Sequence, residues 1–157
     1  MPNFQQQVNA YPAKGVPGDR ASLNPHVYVI GNPLAEGHVT LGRFVWDGSE
    51  IGLAKNSGTG KPLGFVERVL AYYDLDLGQP GGLATPDRAP LLVARKGDYY
   101  AVALTAAVRG QKIFAVLADG SLKSGATGTA ISGTVETDWV VIEGGAAGEL
   151  ITISNWS

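Results

Sequence analysis

The chain has 157 residues, of which 45% are apolar and 17% charged, with a formal net charge of −2. That length fits one domain with a core of its own, and the slight acidity excludes a generic nucleic-acid binder, which would be clearly basic. Cysteine is absent, which excludes a disulfide framework, a thiolate metal site and a cysteine nucleophile.

The N-terminal stretch MPNFQQQVNAYPAKG lacks the charged start and apolar run of a signal peptide. No stretch approaches the ~18 apolar residues of a membrane helix. The expectation is a soluble protein of the cytoplasm with no membrane partner. Within residues 1–25, Pro2, Pro12, Pro17 and Pro25, together with Gly15 and Gly18, break any regular period. This segment reads as an extended arm, able to reach on the order of 80 Å at ~3.3 Å per residue. Phe4, Val8 and Tyr11 recur at helical spacing, and two isolated turns of helix need a surface to lie on. With Pro12, which limits the freedom of the unbound arm, they are candidate contact residues. Arg20, beside Asp19, is a candidate positioning contact.

The body reads as residues 26–157. HVYVI (His26–Ile30) is the first expected strand and HVTLGRFVW (His38–Trp46) the second, with Gly42 as a bulge. Asp47-Gly48 turns into a short strand, Glu50–Ala54. NSGTGKPLG (Asn56–Gly64) is a loop, and Leu63–Ala71 is the next strand, with a short helix over Leu63–Tyr73 as the alternative that lacks a clear cap. Asp74–Pro90 is a loop of a length that is usually functional. Lys96-Gly97-Asp98 forms a turn before a strand over Tyr99–Val108, and Arg109-Gly110 leads into KIFAVLADG. Asp119-Gly120 is a hairpin signal, since both positions favour positive φ. TDWVVIE (Thr137–Glu143) and ELITISN (Glu149–Asn155) are the last strands, joined by GGAAG. Short strands at regular spacing predict an all-β sandwich or barrel, jelly-roll-like.

Chemistry is sparse. Gly60-Lys61 resembles the end of a phosphate loop, but Lys55 stands where the first glycine belongs and Pro62 where the magnesium hydroxyl belongs. The stretch reads as a structural turn. His26 and His38 lie on different strands without a second ligand, so no metal and no cofactor are expected. Asp74 and Asp76 share a face, but in a glycine- and proline-rich loop they read as solvated rather than as a catalytic pair. Tyr72-Tyr73 and Tyr99-Tyr100 each turn one ring outward as an interface candidate. After Lys123 the chain holds Glu136, Asp138, Glu143 and Glu149 but no lysine or arginine. That asymmetry suits a solvated face or an acidic face for a basic partner.

Three stretches carry a resemblance: FQQQVNAYPAKGVPGDRASLNP, GTGKPLGFVER and WVVIEGGAAGELITISNW. They supply a proline-rich arm running into the first strand, a G-x-P-x-GF turn and a final glycine-bounded hairpin. In these features the chain resembles the capsid cement, or decoration, proteins of bacteriophages. The resemblance implies a non-enzymatic virion protein, assembled in the host cytoplasm. It would bind the outer surface of an icosahedral head and clamp neighbouring major-capsid subunits. A homotrimer is preferred and a dimer is the alternative. The arm residues above would touch the capsid, as would Asn56, Thr59 and Lys61 in the glycine-rich turn and Asp74 and Asp76 in the long loop. A second reading is a carbohydrate-binding module that stacks sugars on Trp46, Trp139 and Trp156.

Overall fold

Turn residues divide the chain into short strands, and in the computed structural model, which describes residues 14–69 and 83–156, eleven of them form two sheets. In chain order they are β1 (Val27–Tyr28), β2 (Leu34–Ala35), β3 (Phe44–Asp47), β4 (Leu53–Lys55), β5 (Gly64–Val66), β6 (Val93–Lys96), β7 (Asp98–Val102), β8 (Lys112–Val116), β9 (Leu122–Gly125), β10 (Thr134–Glu143) and β11 (Leu150–Ser154). The first sheet has the order β1-β6-β5-β3-β4-β2 and the second β7-β11-β10-β8-β9. The sheets pack face to face as a sandwich, not as a closed barrel.

Alternation explains the second sheet. Tyr99 and Ala101 of β7, Ile113 and Ala115 of β8, Trp139 and Val141 of β10, and Ile151 and Ile153 of β11 point into the space between the sheets. Phe44, Trp46, Phe65 and Ala94 of the first sheet meet them there. At the centre Phe65 stands 5.6 Å from Phe44, 5.3 Å from Tyr99 and 5.7 Å from Trp139, ring centre to ring centre. Such pairs each contribute about 0.5–1.5 kcal/mol beyond the area they bury.

The first sheet is buried on both faces. Val45, Val66 and Val93 point away from the sandwich into a second cluster with Val39, Leu41 and Leu91, which segments outside the strands supply. The runs Phe44-Val45-Trp46 and Gly64-Phe65-Val66 are therefore continuously buried.

This second layer shortens the expected strands. His38–Trp46 yields a strand only from Phe44, because Val39 exchanges hydrogen bonds with Thr85 and the Leu41 amide donates to the Leu83 carbonyl. Gly42 is no bulge: it sits at φ +70°, and a Cβ there would lie 2.7 Å from the Pro17 backbone. The strand expected over Tyr99–Val108 ends at Val102, after which Ala103 bridges to Leu122 and Ala107 to Gly145. At the Asp119-Gly120 turn only Gly120 has positive φ.

Within residues 14–25, read from sequence as part of an extended arm, Gly18–Ala21 is hydrogen-bonded to the body. The Gly18 amide donates to the Tyr100 carbonyl at 2.8 Å, Tyr100 to Asp19 at 2.9 Å, and Ala21 to Asp98 at 2.9 Å. The proline and glycine punctuation breaks periodicity, but it leaves enough amides to follow β7.

Gly120 tests the packing. It has φ +69°, and a Cβ there would stand 2.1 Å from the Phe44 carbonyl oxygen, whereas at Gly110, φ +90°, nothing lies within 4 Å. The left-handed conformation alone costs a residue with a Cβ about 1–2 kcal/mol. In urea denaturation Gly110→Ala should lose about that much, and Gly120→Ala clearly more, because β3 must move.

Candidate functional site

One buried carboxylate joins residues 14–25 to the body. Glu67, just past β5, is only 7% exposed. Its Oε1 accepts from Arg20 Nε at 2.8 Å, and its Oε2 accepts from the hydroxyls of Tyr28 at 2.5 Å and Tyr99 at 2.8 Å. Arg20 also donates to the Tyr28 hydroxyl at 2.6 Å. Burial, then the hydrogen bond to Glu67 and its charge, push both tyrosine pKa values up, so the hydroxyls stay protonated as donors. Arg20 does not pair with its neighbour Asp19, which instead accepts from Arg68 Nε at 2.7 Å.

A second carboxylate holds the next turn. Asp98 Oδ2 accepts from Ser22 Oγ and from Asn24 Nδ2, each at 2.6 Å. Burial pushes the Asp98 carboxyl up, but hydrogen bonds from Ser154, Ser22 and Asn24 outweigh it and hold the carboxyl below its ordinary value. Farther toward the N-terminus the chain crosses Tyr100, where a Cβ on Gly15 would come 2.9 Å from the ring. Lys14 then pairs with Glu143 of β10. The outward ring of Tyr100 is thus covered by its own chain. Phe4, Val8, Tyr11 and Pro12 lie outside the described residues, as do Tyr72, Tyr73, Asp74 and Asp76.

The glycine-rich turn is built from within. Asn56 spends its amide on the body, accepting from the Thr40 N–H at 2.6 Å and donating to the carbonyls of Thr40 at 3.2 Å and Phe44 at 3.1 Å. It is a clamp rather than a free contact residue. A Cβ on Gly58 would stand 2.4 Å from Trp46, whose indole N–H donates to the Gly60 carbonyl at 2.8 Å. The turn leads into β5 and not into a helix, which a phosphate loop requires. Thr59 and Lys61 remain at the exposed tip.

Lys61 Nζ lies 2.5 Å from Asp138 Oδ2, across a cleft of about 150 Å³ that Arg95, Trp139 and Asn155 also line. Asp138 projects there because β10 is irregular between Glu136 and Val140, where the Thr137 hydroxyl donates to the Ile113 carbonyl at 2.7 Å. The other late acids also have local partners: Glu136 accepts from Gly128 N at 2.8 Å and Glu149 from Ala146 N at 2.9 Å. With Lys14 on Glu143 and Lys61 on Asp138, the C-terminal half does not present an unbroken acidic face.

Trp46 and Trp139 are core residues. Trp156 is 43% exposed, but its N–H donates to the Pro25 carbonyl at 3.1 Å and Lys96 lies over its ring. Among the described residues no group of three or more His, Cys, Asp or Glu is placed to hold a metal.

The fold defines the chain as a two-sheet β-sandwich protein with its N-terminal segment stitched to the body. A family model described as XM1 gp53 minor capsid protein matches residues 4–155, and the chain belongs to that family. Among solved structures, a chain of "The capsid of Myoviridae Phage XM1" superposes with a TM-score of 0.66 at 17% identity, covering 97% of this chain and 96% of that one. That likeness shows a shared fold. No curated protein matches. The chain is a capsid-associated phage structural protein, and its resemblance to decoration proteins holds at that coarser level.

Two variants test the anchoring carboxylates. Glu67→Ala leaves the buried Tyr99 hydroxyl without its acceptor and should cost about 2–3 kcal/mol in denaturant unfolding. Asp98→Asn should be less stable than the parent at pH 7. A depressed carboxyl pKa gives stability that is present above the unfolded value, about 3.9, and lost as pH falls through the folded value. The gap between variant and parent melting temperatures should therefore narrow below about pH 4.

Proposed function

We propose that this protein binds the outer surface of an icosahedral phage head and cements neighbouring major-capsid subunits, with residues 1–13 as the clamp. The carrying observation is the fixed root of that segment. Gly18–Ala21 is hydrogen-bonded along β7, Glu67 and Asp98 lock the side chains around it, and Lys14 is held at Glu143. A segment leaving a rigid root spends less ordering entropy on binding than one leaving a loose one. Phe4, Val8 and Tyr11 are the anchors, each worth roughly 1.5–3 kcal/mol on full burial before ordering costs. Family membership supports a place in the virion. Self-association, as a trimer in preference to a dimer, would multiply such contacts by effective concentration. The carbohydrate-binding reading loses its platform, because two of its three tryptophans lie in the core.

The experiment is cosedimentation with expanded heads of the phage that carries the protein. Removing residues 1–13 should leave the melting temperature unchanged and weaken head binding at least tenfold, and Phe4→Ala with Tyr11→Ala should reproduce most of that loss. Removing residues 1–25 should in addition lower the melting temperature sharply, since it strips the partners of Glu67, Arg68 and Asp98. Unchanged affinity after removal of 1–13 would overturn the clamp. A monomeric mass by light scattering, both free and on the particle, would overturn self-association.

A further inference from the structure

We propose that the cleft between the glycine-rich turn and β10 is a docking site for a carboxylate side chain presented by the capsid protein. The inference rests on the capsid-binding reading above and adds a location and a chemistry to it. Two cations line this cleft and a third lies beside it. Lys61 reaches it from the turn and Arg95 from β6, while Lys112 Nζ from β8 lies 3.4 Å from the Asp138 carbonyl oxygen. The one acid among them is Asp138, so the cleft carries a local excess of positive charge on a chain whose net charge is −2. Lys61 is neutralised by Asp138. Arg95 is exposed and has no ion-pair partner among the described residues.

The surroundings are shaped rather than flat. The Asn155 amide donates to the Arg95 carbonyl at 2.6 Å and ties β6 to the end of the chain, which fixes the backbone from which the guanidinium projects. The cleft lies where β10, the central strand of its sheet, is irregular between Glu136 and Val140, and Trp139 is part of its lining. About 150 Å³ is room enough for one acidic side chain. A guanidinium binds a carboxylate through two parallel hydrogen bonds, and an ammonium adds charge without fixing direction. Arg95 is therefore the orienting group, and Lys61 and Lys112 supply field. Charge complementarity at an exposed rim acts chiefly on specificity and encounter rate, which suits a contact that sets register while the N-terminal anchors supply affinity.

The test uses the full chain on expanded heads, with the zero-length carbodiimide reagent that couples lysine amines to carboxylates. Lys61 or Lys112 should become amide-linked to an aspartate or glutamate of the major capsid protein, identified by mass spectrometry. Arg95→Glu should keep the parent melting temperature, weaken head binding about tenfold and abolish those links. Asp138→Asn removes the competing acid and should tighten binding severalfold. If the parent pellets with heads and Arg95→Glu pellets equally well, the cleft is not the site, although the capsid reading stands. Lysine links only to another copy of this chain, or none from Lys61 and Lys112, would also overturn it. Failure of the parent to pellet would overturn both proposals.

Discussion

A charged carboxylate taken out of water must be matched by donors, and Glu67 is matched by three from separate parts of the chain. Arg20 comes from 47 residues before it, Tyr28 from 39 before, and Tyr99 from 32 after. Until all three arrive, burying Glu67 costs more than it returns. The N-terminal segment, β1, the end of β5 and β7 are therefore coupled through one carboxylate. Tyr99 makes the condition stricter, because its ring belongs to the aromatic centre between the sheets while its hydroxyl belongs to Glu67. The polar lock and the apolar core share a side chain, so the root of the N-terminal segment is tied directly to the core.

The same logic, at smaller scale, places the turn tip. Asn56 substitutes its side-chain amide for missing backbone partners at Thr40 and Phe44, and Gly58 lets Trp46 press against the turn. Thr59, Gly60 and Lys61 are then presented on a rigid base. An exposed lysine is a weak contact by itself. One held on a fixed turn opposite Asp138, Lys112 and Arg95 is part of a patterned field.

Much of the sandwich was legible in sequence because the inner residues of the second sheet alternate, as in Trp139, Val141, Ile151 and Ile153. The first sheet was legible as strand but not in its limits. Val39, Leu41 and Leu91 are as buried as any strand residue while lying outside the ladders, and a run of apolar residues does not reveal which of them pair. The two-residue β2 and the polar β9, with sequence Leu122-Lys123-Ser124-Gly125, left almost no periodic signal. Arg20 is legible as a contact residue, but its pairing with Glu67 is not, because 47 residues separate the two. Glu67 offered one clue: a lone acid inside the strand-forming run LGFVERVL. Its partners are long-range, and nothing local names them. The basic cleft was hidden for the same reason, for Lys61, Arg95 and Lys112 come from three separate elements.

The residues that follow β7 have a further consequence for how the protein behaves in a crowd. A sheet whose outermost strand shows unpaired amides and carbonyls invites strands from other chains. Here Gly18–Ala21 occupies one margin of the second sheet, and Ala103 and Leu104 occupy part of the other by bonding to Leu122. Further growth of that sheet is discouraged at both ends. Contact with other molecules is thereby left to side-chain surfaces and turns rather than to the addition of a strand.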